Sequence, residues 1–150
     1  MDVKIGQRLP ALVVGDEHGR HIGLEELRGG GPAVLFFMRA GNCMICMRHA
    51  RTLANMRVEL AAHNVLPIVV VPGKAADADA VRRKLGAPVR VVYSDTVTAH
   101  RAVGLGTSML MQHSGTFLLD ADGTLRHTRA AAMPTGTFDL GELLDALARL

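Results

Sequence analysis

Residues 36–46 read FFMRAGNCMIC and combine the end of an apolar run, a glycine-containing turn and two cysteines spaced Cys-x-x-Cys. The run 33–38 is apolar throughout, which is typical of a strand buried on both faces of a sheet. Apolar residues then recur at helical spacing over 43–63, and Asn42 is placed to cap this helix. The segment predicts a central strand that leads through a turn into the longest helix.

Outward from this segment, the apolar pattern alternates between strand and helix periodicity. Further strands are predicted at 11–14, 21–22, 65–71, 90–93, 116–119 and 124–128, and further helices at 24–28, 76–85, 96–103 and 139–150. Parallel strands joined by helices come first, and an antiparallel hairpin around 120–123 comes last. This order predicts an α/β fold with a mixed central sheet, helices on both faces and a short N-terminal hairpin.

Length and composition limit the class of protein. A chain of 150 residues, 49% hydrophobic and 21% charged, is expected to form one globular domain over 1–150. Its apolar runs fall well short of the roughly 20 residues that cross a membrane, and the N-terminus has no secretory signal, so a cytoplasmic protein is expected. A net charge of +3 and 3% aromatic residues argue against nucleic-acid binding.

The cysteine pair is the strongest functional signal in the chain. Cys43 and Cys46 are the two cysteines of the sequence, and both lie at the start of a predicted helix. Unpaired N–H groups and the helix dipole at that end stabilise a thiolate, and Cys43, at the first helical position, is expected to gain most. Residues three apart on a helix are neighbours, so a small shift brings the two sulfurs within disulfide range. Arg39 adds positive potential, and His49 lies on the same face as Cys46.

This segment resembles the alkyl hydroperoxide reductase/thiol-specific antioxidant family, in particular its peroxiredoxin-like branch within the thioredoxin superfamily. The likeness covers nearly the whole chain. It is carried by 5–10, 19–20 and 24–28, by 33–48 with its Gly-x-Cys-x-x-Cys motif, and by 115–123. It implies a thioredoxin-like fold and an enzyme that reduces hydroperoxides or disulfides without a cofactor or metal. It also implies a Cys43–Cys46 disulfide, an external thiol reductant such as a thioredoxin-type protein, and a possible homodimer.

Position by position, the family's peroxide-attacking sulfur falls on Cys46, whereas the helix dipole favours Cys43. The family's Thr or Ser is replaced by Cys43 and its Pro by Arg39. The acidic residue that often follows the attacking cysteine is His49 here, and the Arg that precedes the late strand is Ser114. The sequence therefore leaves open which cysteine attacks. The proposed catalytic set is Cys43, Cys46, Arg39 and His49.

Three alternatives use the same segment. One is a general thiol-disulfide reductase without peroxidase activity. Another is a Cu(I) or Zn carrier that uses both cysteines with Met44, Met47 and His49. The third is a redox-inert scaffold, which predicts that both thiols resist alkylation. His113 is a further histidine expected near the cysteine turn, because it comes just before the late strand.

Overall fold

The computed structural model describes residues 3–86 and 89–150. Its strands are β1 (Val13–Gly15), β2 (His21–Gly23), β3 (Ala33–Phe37), β4 (Leu66–Val71), β5 (Arg90–Tyr93), β6 (Thr107–Ser108), β7 (Met111–Gln112), β8 (Ser114–Leu119) and β9 (Leu125–Ala131). Its α-helices are α1 (Leu24–Leu27), α2 (Met44–Asn55), α3 (Arg57–Ala62), α4 (Ala75–Leu85), α5 (Thr98–Ala102) and α6 (Leu140–Ala148). A 3-10 turn, Pro134–Gly136, precedes α6.

The main sheet has seven strands in the order β2-β1-β5-β4-β3-β8-β9. Strands β3, β4 and β5 are parallel to one another, whereas β8 pairs antiparallel with both β3 and β9. The predicted mixed sheet and the N-terminal β1–β2 hairpin are confirmed. The small β6–β7 hairpin was not predicted.

Each face of the sheet carries its own core. Val34 and Phe36 of β3 point into a cluster that α2, α3, α4 and α6 cover. Leu35 and Phe37 point to the other face, where α1 and α5 complete the packing. All five residues of β3 are buried because helices cover both faces, which confirms the reading of 33–38 as a central strand.

The predicted long helix over 43–63 is instead two helices, and this prediction is wrong at Met56. There the backbone N–H bonds the Leu53 carbonyl at 3.1 Å, a tighter turn than the α-helical one, before α3 begins. Met56 and Leu60 are both buried in the same core. Both α2 and α3 contact β4 on either side of this bend.

Candidate active site at the start of helix α2

Strand β3 ends beside the N-terminus of α2, and this junction holds both cysteines. Helix α2 begins at Met44, so Cys43 occupies the cap position immediately before it. The Cys43 sulfur accepts a hydrogen bond from the backbone N–H of Cys46 at 3.3 Å. The expectation that Asn42 caps the helix is therefore wrong, because the Cys43 sulfur takes the acceptor role usually filled by oxygen.

The two thiols are free and differ in burial. Cys43 is 5% exposed, whereas Cys46 is fully enclosed. The Cys46 sulfur accepts the backbone N–H of Arg39 at 3.4 Å, which ties α2 to the end of β3. Cys43 is therefore the sulfur nearer to solvent, and Cys46 lies beneath it.

The pKa values of the two thiols move in opposite directions. Burial raises the pKa of Cys43, but hydrogen bonds from the Cys46 thiol and backbone N–H, with the Arg39 side chain, bring it below its ordinary value. Burial, together with the hydrogen bond and charge of Cys43, raises the pKa of Cys46 to about 12. Of the two sulfurs, the arrangement therefore favours the thiolate at Cys43 and the protonated thiol at Cys46.

Arg39 interacts with both cysteines. Its backbone N–H reaches Cys46, and its side chain lowers the pKa of Cys43. The Nε atom of Arg39 is buried and has no hydrogen-bond partner among the residues that the structure describes.

His49 lies one turn after Cys46, where its ring is held by the segment before α6. Its Nε2 donates to the Pro134 carbonyl at 3.0 Å, and the ring stacks on Phe138 with centroids 5.4 Å apart. Burial lowers the pKa of His49, and the Pro134 contact opposes this only in part. His49 is thus neutral near pH 7 and joins α2 to the 134–138 segment.

The geometry does not support the alternative in which the protein carries Cu(I) or Zn. Met44 is 82% exposed, while Met47 is buried in the core and His49 is bonded to Pro134. Within 3–86 and 89–150, no three His, Cys, Asp or Glu side chains gather in a cluster suited to a metal ion. The His113 ring forms a hydrogen bond with the Ser108 hydroxyl at 2.7 Å.

Ser114, which stands where the resembled family has an arginine, has a structural contact. Its hydroxyl donates to the Phe37 carbonyl at 2.6 Å and is fully buried. This bond joins the start of β8 to the end of β3, one residue before the peptide that approaches Cys46. Ser114 therefore braces the turn and brings no positive charge to it.

A cavity of about 400 Å³ runs along the outer side of α2. Asn42 and Met44 line the end near Cys43, and the charged residues of the lining are Arg48, Arg51 and Lys84. Among the described residues, no carboxylate lines it. The surface next to Cys43 is therefore positively charged and is expected to attract anions.

Replacing Arg48 and Arg51 together by Gln is expected to lower the alkylation rate of Cys43 by anionic iodoacetate, relative to neutral iodoacetamide. The expected fall in this ratio is roughly two- to fivefold at low ionic strength and smaller at high salt. Mass spectrometry of the labelled Cys43 peptide measures both rates. The control is Arg57→Gln with Arg101→Gln, which removes the same charge from exposed positions outside the cavity. Equal ratios in the two double variants would contradict the attraction.

No helix among the described residues is long and apolar enough to cross a membrane.

One family model matches most of the chain. The model of the AhpC/TSA family matches residues 5–128. No curated protein matches the chain. Peroxidoxin BcpB from Mycobacterium tuberculosis has a similar structure, with a TM-score of 0.84 at 17% identity, covering 99% of this chain and 98% of that one.

Two further solved structures have the same fold. Reduced Prx3 from Vibrio vulnificus, in complex with H2O2, gives a TM-score of 0.83 at 19% identity, with 97% of this chain and 99% of that one covered. The thiol peroxidase from Chromobacterium violaceum gives 0.79 at 17% identity, with 99% and 88% covered. These likenesses confirm the expected thioredoxin-like fold.

Proposed function

Because the chain belongs to the AhpC/TSA family of thiol-dependent peroxidases, we propose that it reduces hydroperoxides by cycling Cys43 and Cys46 between dithiol and disulfide. The observation that carries this proposal is the contrast between the two sulfurs. The pKa of Cys43 is lowered and the pKa of Cys46 is raised to about 12. Only a thiolate attacks a peroxide efficiently, so Cys43 is the proposed nucleophile.

In the first step the Cys43 thiolate attacks the terminal oxygen of a hydroperoxide. The O–O bond breaks, Cys43 becomes a sulfenic acid, and the other oxygen leaves as an alkoxide that takes up a proton to give an alcohol or water. Cys43 is thereby oxidised and the peroxide is reduced. The cap position favours this step because it presents the sulfur at the N-terminus of α2.

Arg39 is proposed to supply the positive charge that the step needs. Its side chain lowers the pKa of Cys43, and its buried Nε has no partner among the described residues. A donor at that place can hold the leaving oxygen as negative charge develops on it. Arg39 would then replace the family arginine whose position Ser114 occupies.

In the second step Cys46 attacks the Cys43 sulfenic acid. An S–S bond forms, the S–O bond breaks, and hydroxide leaves with the Cys46 proton as water. The hydrogen bond and charge of Cys43 are two of the causes that raise the pKa of Cys46. Because oxidation of Cys43 to the sulfenic acid removes that charge, the pKa of Cys46 is expected to fall once the first step is complete.

An external dithiol is proposed to restore the enzyme. It reduces the Cys43–Cys46 disulfide by thiol-disulfide exchange and is itself oxidised to a disulfide. The thioredoxin-type reductant and the homodimer implied by the family resemblance stay predictions. His49 is proposed to position α2, because its Nε2 is already used by Pro134.

The proposal is tested by mass spectrometry of single variants after a brief, limiting pulse of hydrogen peroxide. Cys46→Ser is expected to accumulate sulfenic acid at Cys43, because no resolving thiol remains. Cys43→Ser is expected to keep Cys46 reduced through the same pulse, and the wild type to form the disulfide. Sulfenic acid at Cys46 in Cys43→Ser would instead assign the attack to Cys46, as the family alignment implies.

A second candidate function is the reduction of disulfides. The lowered pKa of Cys43 and the raised pKa of Cys46 favour it, because thiol-disulfide exchange also begins with attack by a thiolate. Stopped-flow measurement of hydrogen peroxide consumption separates the two functions. A rate no faster than that of free cysteine would exclude the peroxidase and leave the reductase.

A further inference from the structure

His100 is a buried histidine outside the proposed catalytic set. It lies on α5, on the opposite side of the sheet from α2, and its side chain is fully buried. Its Nε2 lies 2.8 Å from the Met38 carbonyl oxygen. Because a carbonyl oxygen only accepts, Nε2 carries a hydrogen and donates it. Burial lowers the pKa of His100 to about 4, so the ring is neutral at pH 7.

The Met38 carbonyl belongs to the peptide group that approaches Cys46. The N–H of that same peptide is the Arg39 N–H, which donates to the Cys46 sulfur at 3.4 Å. The peptide is trans, so its C=O and N–H point in opposite directions, one toward His100 and the other toward Cys46. A continuous chain of hydrogen bonds therefore passes through the sheet layer from the imidazole to the sulfur.

Hydrogen bonds in such a chain strengthen one another. A donor on the carbonyl oxygen polarises the peptide and makes its N–H a better donor at the other end. The Arg39 N–H is one of the contacts that lower the pKa of Cys46 against the effect of burial. Loss of the His100 contact therefore weakens the group that favours the Cys46 anion.

The surroundings of His100 hold the ring in this position. The Ser94 hydroxyl accepts the backbone N–H groups of Ala99 at 3.0 Å and His100 at 3.3 Å, which fixes the start of α5. The ring meets Phe37 edge-on, with centroids 5.0 Å apart. Its Nδ1 has no hydrogen-bond partner among the described residues, a cost that an apolar side chain would avoid.

We propose that His100 is a positioning residue that acts through the Met38–Arg39 peptide to orient and strengthen the Arg39 N–H toward Cys46, and so speeds disulfide formation. The proposal rests on the proposed function, in which Cys46 resolves the Cys43 sulfenic acid. His100 touches neither peroxide nor sulfur in this account. Its effect is confined to the second step.

The test compares His100→Gln with His100→Asn. The Gln amide can place an N–H where Nε2 lies, whereas the shorter Asn amide matches Nδ1 and cannot reach the Met38 carbonyl. After one equivalent of hydrogen peroxide, rapid quenching and mass spectrometry follow the decay of the Cys43 sulfenic acid. We expect His100→Asn to slow disulfide formation roughly fivefold to tenfold, and His100→Gln to stay within roughly threefold of wild type. Formation of the sulfenic acid should be equally fast in all three proteins.

A second measurement needs no peroxide and so separates this proposal from the proposed function. In the Cys43→Ser background, the thiolate absorbance of Cys46 is followed against pH for each His100 variant. We expect a higher Cys46 pKa with His100→Asn than with His100→Gln. Equal Cys46 pKa values in the two folded variants would overturn the proposal, whatever the peroxidase result. If His100→Asn does not fold, His100→Leu takes its place in both measurements as the variant without a donor.

Discussion

Cys43→Ser is expected to lower the second-order rate constant for hydrogen peroxide consumption by about 1000-fold or more. A hydroxyl in place of the thiol is protonated at neutral pH and is a far weaker nucleophile, and loss of a nucleophile commonly removes almost all of the enzymatic rate. The remaining thiol, Cys46, is fully buried, and burial is the largest cause that raises its pKa. Peroxide consumption in the presence of excess dithiol is the measurement.

Cys46→Ser is the matched control for this prediction. It keeps the attacking sulfur and a hydroxyl donor beneath it, so the first turnover should stay within roughly tenfold of wild type while later turnovers become slow. Single-turnover and steady-state rates separate these two effects. Fast first turnover in Cys43→Ser together with slow first turnover in Cys46→Ser would reverse the assignment of nucleophile and resolving cysteine.

Lowering the pH from 7 to 4 is expected to destabilise the wild type by about 3 kcal/mol more than it destabilises His100→Gln. The folded-state pKa of His100 is about 4, below the ordinary histidine value of 6.5. Between these two values the unfolded chain binds the proton and the folded chain does not. Stability from this group is therefore present above pH 6.5 and is lost as the pH falls toward 4.

Urea unfolding at intervals across this range measures the difference. Other groups, including His49 and His127, whose pKa values burial also lowers, are common to both proteins and cancel in the comparison. His63→Gln, a change at an exposed position, is the control and should follow the wild type. Parallel wild-type and His100→Gln curves would show that the folded protein accepts a proton at His100 without penalty.

Much of the architecture could be predicted from local patterns. The apolar run 33–38 indicated a doubly covered strand, and β3 is buried along its whole length. The Asp120 turn signal was also sufficient, since the Asp120 carboxylate accepts the N–H groups of Asp122 and Thr124 between β8 and β9. Periodicity failed at Met56, because Met56 and Leu60 both remain in the core across the break between α2 and α3, so the apolar pattern continues where the helix does not.

The candidate site was only partly predictable. Spacing placed Cys43 and Cys46 at the start of a helix, but it did not reveal that the Cys43 sulfur is itself the cap. His100 was missed, because nothing in the local sequence links it to a peptide 62 residues earlier. A signal was present in its pattern, since His100 follows the buried Ala99 and comes three residues before the buried Val103.

The sequence alone determined the order in which the seven strands of the main sheet follow one another along the chain, and the placement of a Cys-x-x-Cys pair at a strand-to-helix junction. These features depend on side-chain periodicity and on backbone N–H groups within a few residues, so the local sequence is enough to predict them. Tertiary structure decided how the two sulfurs differ. Their pKa values depend on burial and on hydrogen-bond donors from the turn after β3, and both exist only in the folded protein.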